Sequence, residues 1–136
     1  MDVMRRLLLI LSLALAVPAA AQQPEWRQAA EHQVRLRPNV FEPEEIRLTA
    51  GVPARLVFFN NSRTPLSLTA EGFFESAQLR SGDDRLVADG GMILQAGETR
   101  AVTLIPAAGR YRMRSQNWLR RLVGMSALIV VEPARG

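Results

Sequence analysis

The sequence has 136 residues, which is enough for one domain with a single hydrophobic core. It contains no cysteine, and this excludes both a disulfide framework and any thiolate ligand or nucleophile. All 17 basic side chains are arginine, yet the formal net charge is only +4. A surplus this small does not favour nucleic-acid binding.

The N-terminal segment has the three parts of a secretory signal peptide. Arg5 and Arg6 precede an apolar run at residues 7–17, and small residues follow up to Ala21. The apolar run is shorter than the roughly 20 residues that a membrane-spanning helix needs. We therefore expect residues 1–21 to be cleaved near Ala21, leaving a periplasmic or secreted protein. An uncleaved membrane anchor is the alternative.

The remaining chain shows the pattern of an all-β domain. After a flexible lead-in at residues 22–31, about eight short strands alternate with turn signals across residues 32–133. The nearly continuous apolar run at 55–59 predicts a strand that is buried on both faces or lies at the centre of a sheet, and 86–87 predicts a short strand. Residues 71–77 predict a short helical or irregular excursion. A Greek-key sandwich of two antiparallel sheets closes such a chain economically.

Four stretches, in this order and spacing, resemble the cupredoxins, the β-sandwich family that includes plastocyanin and azurin. They are residues 41–51 (FEPEEIRLTAG), 57–61 (VFFNN), 94–99 (LQAGET) and 108–111 (AGRY). The resemblance implies a Greek-key sandwich and, in metal-binding members, a mononuclear blue-copper site. Such a site uses one thiolate, two imidazoles and a weak axial thioether.

Position by position, this chain lacks three of the four copper ligands that the resemblance implies. Leu66 stands at the first histidine and Ser115 at the cysteine, whereas Met125 fits the axial position. The second histidine falls among four residues, none of them histidine: Asn117, Trp118, Leu119 and Arg120. Leucine has no donor atom, and a serine hydroxyl stays protonated at neutral pH. We therefore expect no cofactor, with copper held by other donors as the alternative.

Three other groups of side chains are candidate metal ligands, each with an ordinary structural explanation. His32 is the only imidazole in the chain. Met113 and Met125, together with Met92, are soft donors for Cu(I) but also common core residues. Hard cations such as iron would need oxygen donors, which one connecting region supplies through Glu71, Glu75, Asp83 and Asp84. The element at 74–76 (FES) also resembles cupredoxin-like relatives that accompany bacterial iron uptake.

A partner surface is expected where Trp118 lies next to Arg120 and Arg121, because exposed tryptophan and arginine are common in protein interfaces. Trp118 folding inward is the alternative. Arginines at 110, 112 and 114 alternate, which predicts the solvent face of a strand or a patch for an acidic partner or anionic membrane headgroups.

No arrangement of residues indicates an enzyme, since Ser115 has no histidine near it in sequence and no phosphate-binding glycine loop is present. We expect an exported accessory module that binds another periplasmic or membrane protein. A copper- or iron-handling protein and an electron-transfer partner protein are the alternatives.

Overall fold

The structure, a computed structural model, describes residues 24–135 and, at Trp118, the backbone alone. The predicted signal peptide at residues 1–21 lies outside this range. Ten strands are formed: β1 (Ala30–Arg37), β2 (Val40–Glu42), β3 (Glu45–Thr49), β4 (Ala54–Asn60), β5 (Leu66–Thr69), β6 (Gln78–Leu79), β7 (Gly91–Leu94), β8 (Thr99–Ile105), β9 (Gly109–Arg114) and β10 (Ser126–Glu132). Two short helices, α1 (Glu71–Ser76) and α2 (Trp118–Leu122), lie between strands.

The strands form two five-stranded sheets that pack face to face. The first sheet has the order β2-β1-β4-β8-β6 and the second the order β3-β10-β9-β5-β7. Neighbours are antiparallel except for β1 with β4 and β3 with β10, which are parallel. These parallel pairs arise because the chain crosses repeatedly between the sheets, as in a Greek key. The predicted all-β sandwich is confirmed.

The number of strands is ten rather than about eight. The additional strands, β2 and β6, have three and two residues and lie at the two edges of the first sheet. Runs this short do not show a recognisable alternation of apolar and polar residues. The chain start also differs, because β1 begins at Ala30, inside the predicted flexible lead-in, after a 3-10 turn at Trp26–Gln28.

The core lies between the sheets and follows the period of two that strands impose. In β4, the central strand of the first sheet, Leu56 and Phe58 point inward and are buried. Arg55 on the opposite face is exposed, while Val57 and Phe59 are half-buried. The prediction of a central strand is therefore correct, but its outer face is open to solvent.

The connection between β5 and β7 contains α1 and a 3-10 turn at Asp83–Leu86, so the short strand expected at residues 86–87 is not formed. Phe73 of α1 is buried, with its ring 5.2 Å from that of Phe74 and 5.5 Å from that of Tyr111. The helix covers one side of the core with these aromatic rings. Within residues 24–135, no helix combines the length and the apolar character needed to cross a bilayer.

Candidate functional site

One end of the sandwich, which we call the loop end, is formed by the β4–β5 and β9–β10 connections. Strand pairing sets Thr69 of β5 opposite Arg114 of β9. Beyond that pair, the amide of Gln116 donates to the Ser67 hydroxyl at 3.2 Å. The start of β5 and the residues after β9 therefore lie side by side.

Asn60 fastens the β4–β5 connection to the rest of this end. Its buried side-chain amide donates to the carbonyls of Thr64, at 2.9 Å, and Leu94, at 3.0 Å. Its side-chain oxygen accepts from the Ser62 hydroxyl at 2.7 Å. Both N–H donors and the oxygen of the Asn60 side chain are thus in use, and they join β4, the loop and β7. The sequence pattern does not identify this role, because an asparagine after an apolar strand is also a common turn residue.

The neighbouring turn between β7 and β8 adds a second link and contains a carboxylate whose pKa is lowered. The backbone amide of Asn60 donates to the backbone carbonyl of Glu98 at 2.9 Å. The Gln95 amide donates to the Glu98 carboxylate at 2.9 Å, and Arg100 donates to the same group at 2.7 Å. First the Gln95 amide and then the Arg100 guanidinium lower the pKa of Glu98, because both stabilise its charged form.

The structure brings the predicted ligand positions together at the loop end. Leu66 opens β5 and is buried. Ser115 follows β9, is fully buried, and donates its amide to the Met125 carbonyl at 3.4 Å. Met125 itself is 0% exposed, and its amide donates to the Arg120 carbonyl at 3.0 Å. Leu66, Ser115 and Met125 therefore all lie at the loop end.

The residues predicted for the second imidazole lie in or next to the short helix α2. The Asn117 side chain accepts from the Leu119 amide at 2.9 Å and so caps the N-terminus of α2. The Ser115 hydroxyl accepts from the Asn117 amide at 3.2 Å. Arg120 is half-buried and donates to the side-chain oxygen of Asn39 at 3.3 Å. Sequence patterns did not predict α2, because five residues are too few to show a helical period.

The donor set at the loop end does not fit a type I copper ion. Leu66 offers only carbon, and the Ser115 oxygen is a neutral hydroxyl already engaged with a backbone amide. The Met125 sulfur alone is a weak ligand. Arg120, the most polar of the positions for the second imidazole, carries a positive charge that would repel a metal cation.

The other metal candidates are dispersed. His32 on β1 lies opposite Leu56 of β4. It precedes the loop-end residue Leu36 by four residues, which corresponds to about 13 Å along the strand. Met113 pairs with Ala127 and Met92 pairs with Leu68, and both methionines are buried in the core. Within the described range, no group of three or more histidine, aspartate or glutamate side chains is placed to hold a metal ion.

The predicted carboxylate group is divided by the fold. Asp83 is buried and accepts from the Thr103 amide at 2.8 Å and from Arg80 at 3.2 Å, which is a structural role. Glu75 and Asp84 line one shallow pocket of about 220 Å³, whose other walls are mainly apolar. Glu71 is exposed at the start of α1 and packs along Gly90. Two carboxylates are thus the most that share one cavity.

The residues predicted to contact a partner lie in α2. Arg121 is exposed, whereas Arg120 donates to Asn39. The side chain of Trp118 lies outside what the structure describes. Three apolar side chains of this segment, which were not part of the predicted partner surface, are open to solvent: Leu119 at 55%, Leu122 at 74% and Val123 at 62%.

Comparison with solved structures identifies the architecture. An auracyanin from Roseiflexus castenholzii superposes with a TM-score of 0.57 at 14% identity, covering 77% of this chain and 98% of the auracyanin. Auracyanin B gives 0.57 at 24% identity, covering 82% and 92%. The chain has a cupredoxin-like fold. Auracyanin A, a "blue" copper protein from Chloroflexus aurantiacus, gives 0.53 at 16% identity, covering 76% and 99%.

The cupredoxin-like domain is also similar to part of a larger protein. A multi-copper oxidase from Pseudomonas thermotolerans superposes with a TM-score of 0.57 at 16% identity, and the match covers 79% of this chain but 31% of the oxidase. No protein-family model and no curated protein sequence matches the chain. At these identities the similarity shows the fold alone.

Proposed function

We propose that this chain is an exported, non-catalytic accessory module that has lost its type I copper site and binds a partner protein through the loop end. One observation supports the proposal: the residues that the cupredoxin resemblance puts at the copper-ligand positions are a buried leucine, a hydrogen-bonded serine, a helix cap and a buried methionine. Such a site is closed by packing and hydrogen bonds without a metal.

The binding role is supported by what α2 exposes. Leu119, Leu122 and Val123 form a small apolar surface beside the exposed Arg121. Apolar side chains bordered by arginine are typical of the centre of a protein interface. A protein partner in the same compartment is therefore the ligand class that this surface fits.

The first test is a competition titration of the purified protein with Cu(I) and Cu(II), repeated on Met125→Ala. We expect no binding above that of a control protein of similar charge. Tight binding that depends on Met125 would contradict the proposal and favour a copper-handling protein instead. The same titration with Fe(III), on wild type and Glu75→Gln, tests the iron alternative.

A reconstruction tests whether the loop end is a former copper site. Two triple variants carry Leu66→His and Ser115→Cys together with either Asn117→His or Arg120→His. Each variant has two imidazoles and a thiolate in addition to Met125. We expect at least one of the two triple variants to bind Cu(II) with an intense visible absorption from thiolate-to-copper charge transfer. The matched control keeps Ser115 and should stay colourless. Failure of both triple variants to bind would contradict the assignment of these positions.

Partner binding is tested by photo-crosslinking in the producing cell. A crosslinker replaces Leu122 on α2, and a second variant carries it at Val52, which is also exposed but lies in the β3–β4 turn at the opposite end of the sandwich. We expect one discrete adduct from position 122 and none from position 52. Equal adduct patterns from both positions would argue against a loop-end interface.

A further inference from the structure

The outer face of the second sheet carries a row of arginines on β9. Arg110, Arg112 and Arg114 are all exposed, and their alternation places them on one side of the strand. Successive arginines in this row are about 7 Å apart along the strand, which is within the Debye length at physiological salt. The row is therefore a local concentration of positive charge rather than three independent charges.

A pocket lies at the loop end of this row. Arg112 and Arg114 line it together with Arg121 from α2, Ser126 from β10 and the buried Met125. The cavity has a volume of about 360 Å³ and opens to solvent. Three arginines from two separate elements thus line one concave surface.

Within residues 24–135, none of these three guanidinium groups is paired with a carboxylate. Across the sheet, Arg112 faces Leu128 and Arg114 faces Ser126. The next strand places Glu45 beside Leu128, but the Glu45 carboxylate accepts from Arg47 at 3.1 Å.

The other five carboxylates of the described range that form ion pairs do so with arginines outside the pocket; they are Glu31, Glu42, Asp83, Glu98 and Glu132. Glu71, which follows β5 on the other side of β9, packs along Gly90. The lining of the pocket contains no carboxylate among the described residues. The positive charge is consequently available to a ligand.

We propose that this pocket binds a phosphate group. Guanidinium forks donate two parallel hydrogen bonds to phosphate oxygens, and three of them around one cavity match a doubly charged tetrahedral anion. The Ser126 hydroxyl supplies a neutral donor at the rim. Binding would also relieve the mutual repulsion of the arginines. The cavity volume lies in the range of small-molecule sites, so the phosphate is one part of a larger ligand.

The phosphate has two chemical sources, a soluble phosphorylated molecule or the headgroup of an anionic lipid. The first would be held mainly by the pocket, whereas the second would also place the exposed side chains of α2 against the bilayer surface. The site requires neither copper nor a protein partner, so its test is independent of the proposed function.

The test uses the purified protein at fixed ionic strength. Inorganic phosphate and pyrophosphate are titrated by calorimetry against chloride, and co-sedimentation is measured with phosphatidylglycerol-containing and pure phosphatidylcholine vesicles. Arg112→Gln and Arg114→Gln remove charge from the pocket. Arg110→Gln is the matched control, because it removes the same charge from the same face of β9 but lies outside the pocket.

We expect saturable binding of pyrophosphate or of the anionic vesicles that falls at least fivefold in Arg112→Gln and Arg114→Gln and less than twofold in Arg110→Gln. Pyrophosphate binding identifies a soluble ligand, and vesicle binding without pyrophosphate binding identifies a headgroup. Binding of neither probe would overturn the proposal. An equal loss in all three variants would also overturn it, since it would show a diffuse charge effect without a site.

Discussion

Replacing Met125 distinguishes a core residue from a metal ligand. The side chain is 0% exposed, between the Ser115 connection and the start of β10. Met125→Ala deletes three heavy atoms, which at about 0.8 kcal/mol each is roughly 2.4 kcal/mol of lost burial. Incomplete collapse of the cavity adds about 1 kcal/mol. We therefore expect a loss of about 3 kcal/mol in the free energy of unfolding.

The matched variant is Met125→Leu, which keeps most of the volume but removes the sulfur. If Met125 only fills space, this variant should lose less than about 1.5 kcal/mol. Urea denaturation of the metal-free protein measures both values, with an unchanged m-value as the sign that the denatured state is the same. A loss in Met125→Leu as large as that in Met125→Ala would refute the packing argument, as would a loss in Met125→Ala below about 1 kcal/mol.

Three further predictions concern hydrogen bonds. Asn60→Ala removes three bonds and should cost about 3 kcal/mol in urea denaturation, whereas Asn61→Ala, an exposed neighbour, should cost less than about 0.5 kcal/mol. The lowered pKa of Glu98 stabilises the fold above the unfolded value of about 4.3, so Glu98→Gln should flatten the fall in melting temperature as pH drops from 5 to 3. Tyr111→Phe loses the 2.9 Å hydrogen bond to the Ala107 carbonyl and should lower the free energy of unfolding by about 1 kcal/mol. If one of the three variants shows no measurable change, the stabilising role of the hydrogen bonds that it removes is contradicted.

The sandwich was predictable because strands with one buried face repeat an alternating pattern. Leu48 and Ile46 in β3, or Met113 in β9, show this alternation directly in the sequence. Residues 55–59 left the burial of the outer face undecided, because Val57 and Phe59 are apolar yet half-exposed there. Apolar residues at such positions cannot be distinguished from core residues by sequence alone.

The phosphate pocket could not be predicted, because it depends on two elements whose contact is tertiary. The alternation of Arg112 and Arg114 indicates a solvent face, but Arg121 reaches the same cavity only through α2. That helix is five residues long and is set by its Asn117 cap. A single capping residue before a five-residue segment has no distinct signature in the sequence.

Side-chain hydrogen bonds hold the loop end together. Ser115 accepts from the Asn117 amide, Asn117 caps α2, and Arg120 is anchored to Asn39. These three bonds hold the β9–β10 connection in place, a role that metal coordination would otherwise share. Leu66 brings only carbon to this end, and no buried side-chain donor or acceptor is left unsatisfied among the described residues. Under the proposed function, selection at this end acts on what α2 and β9 expose to partners, rather than on an ion held between them.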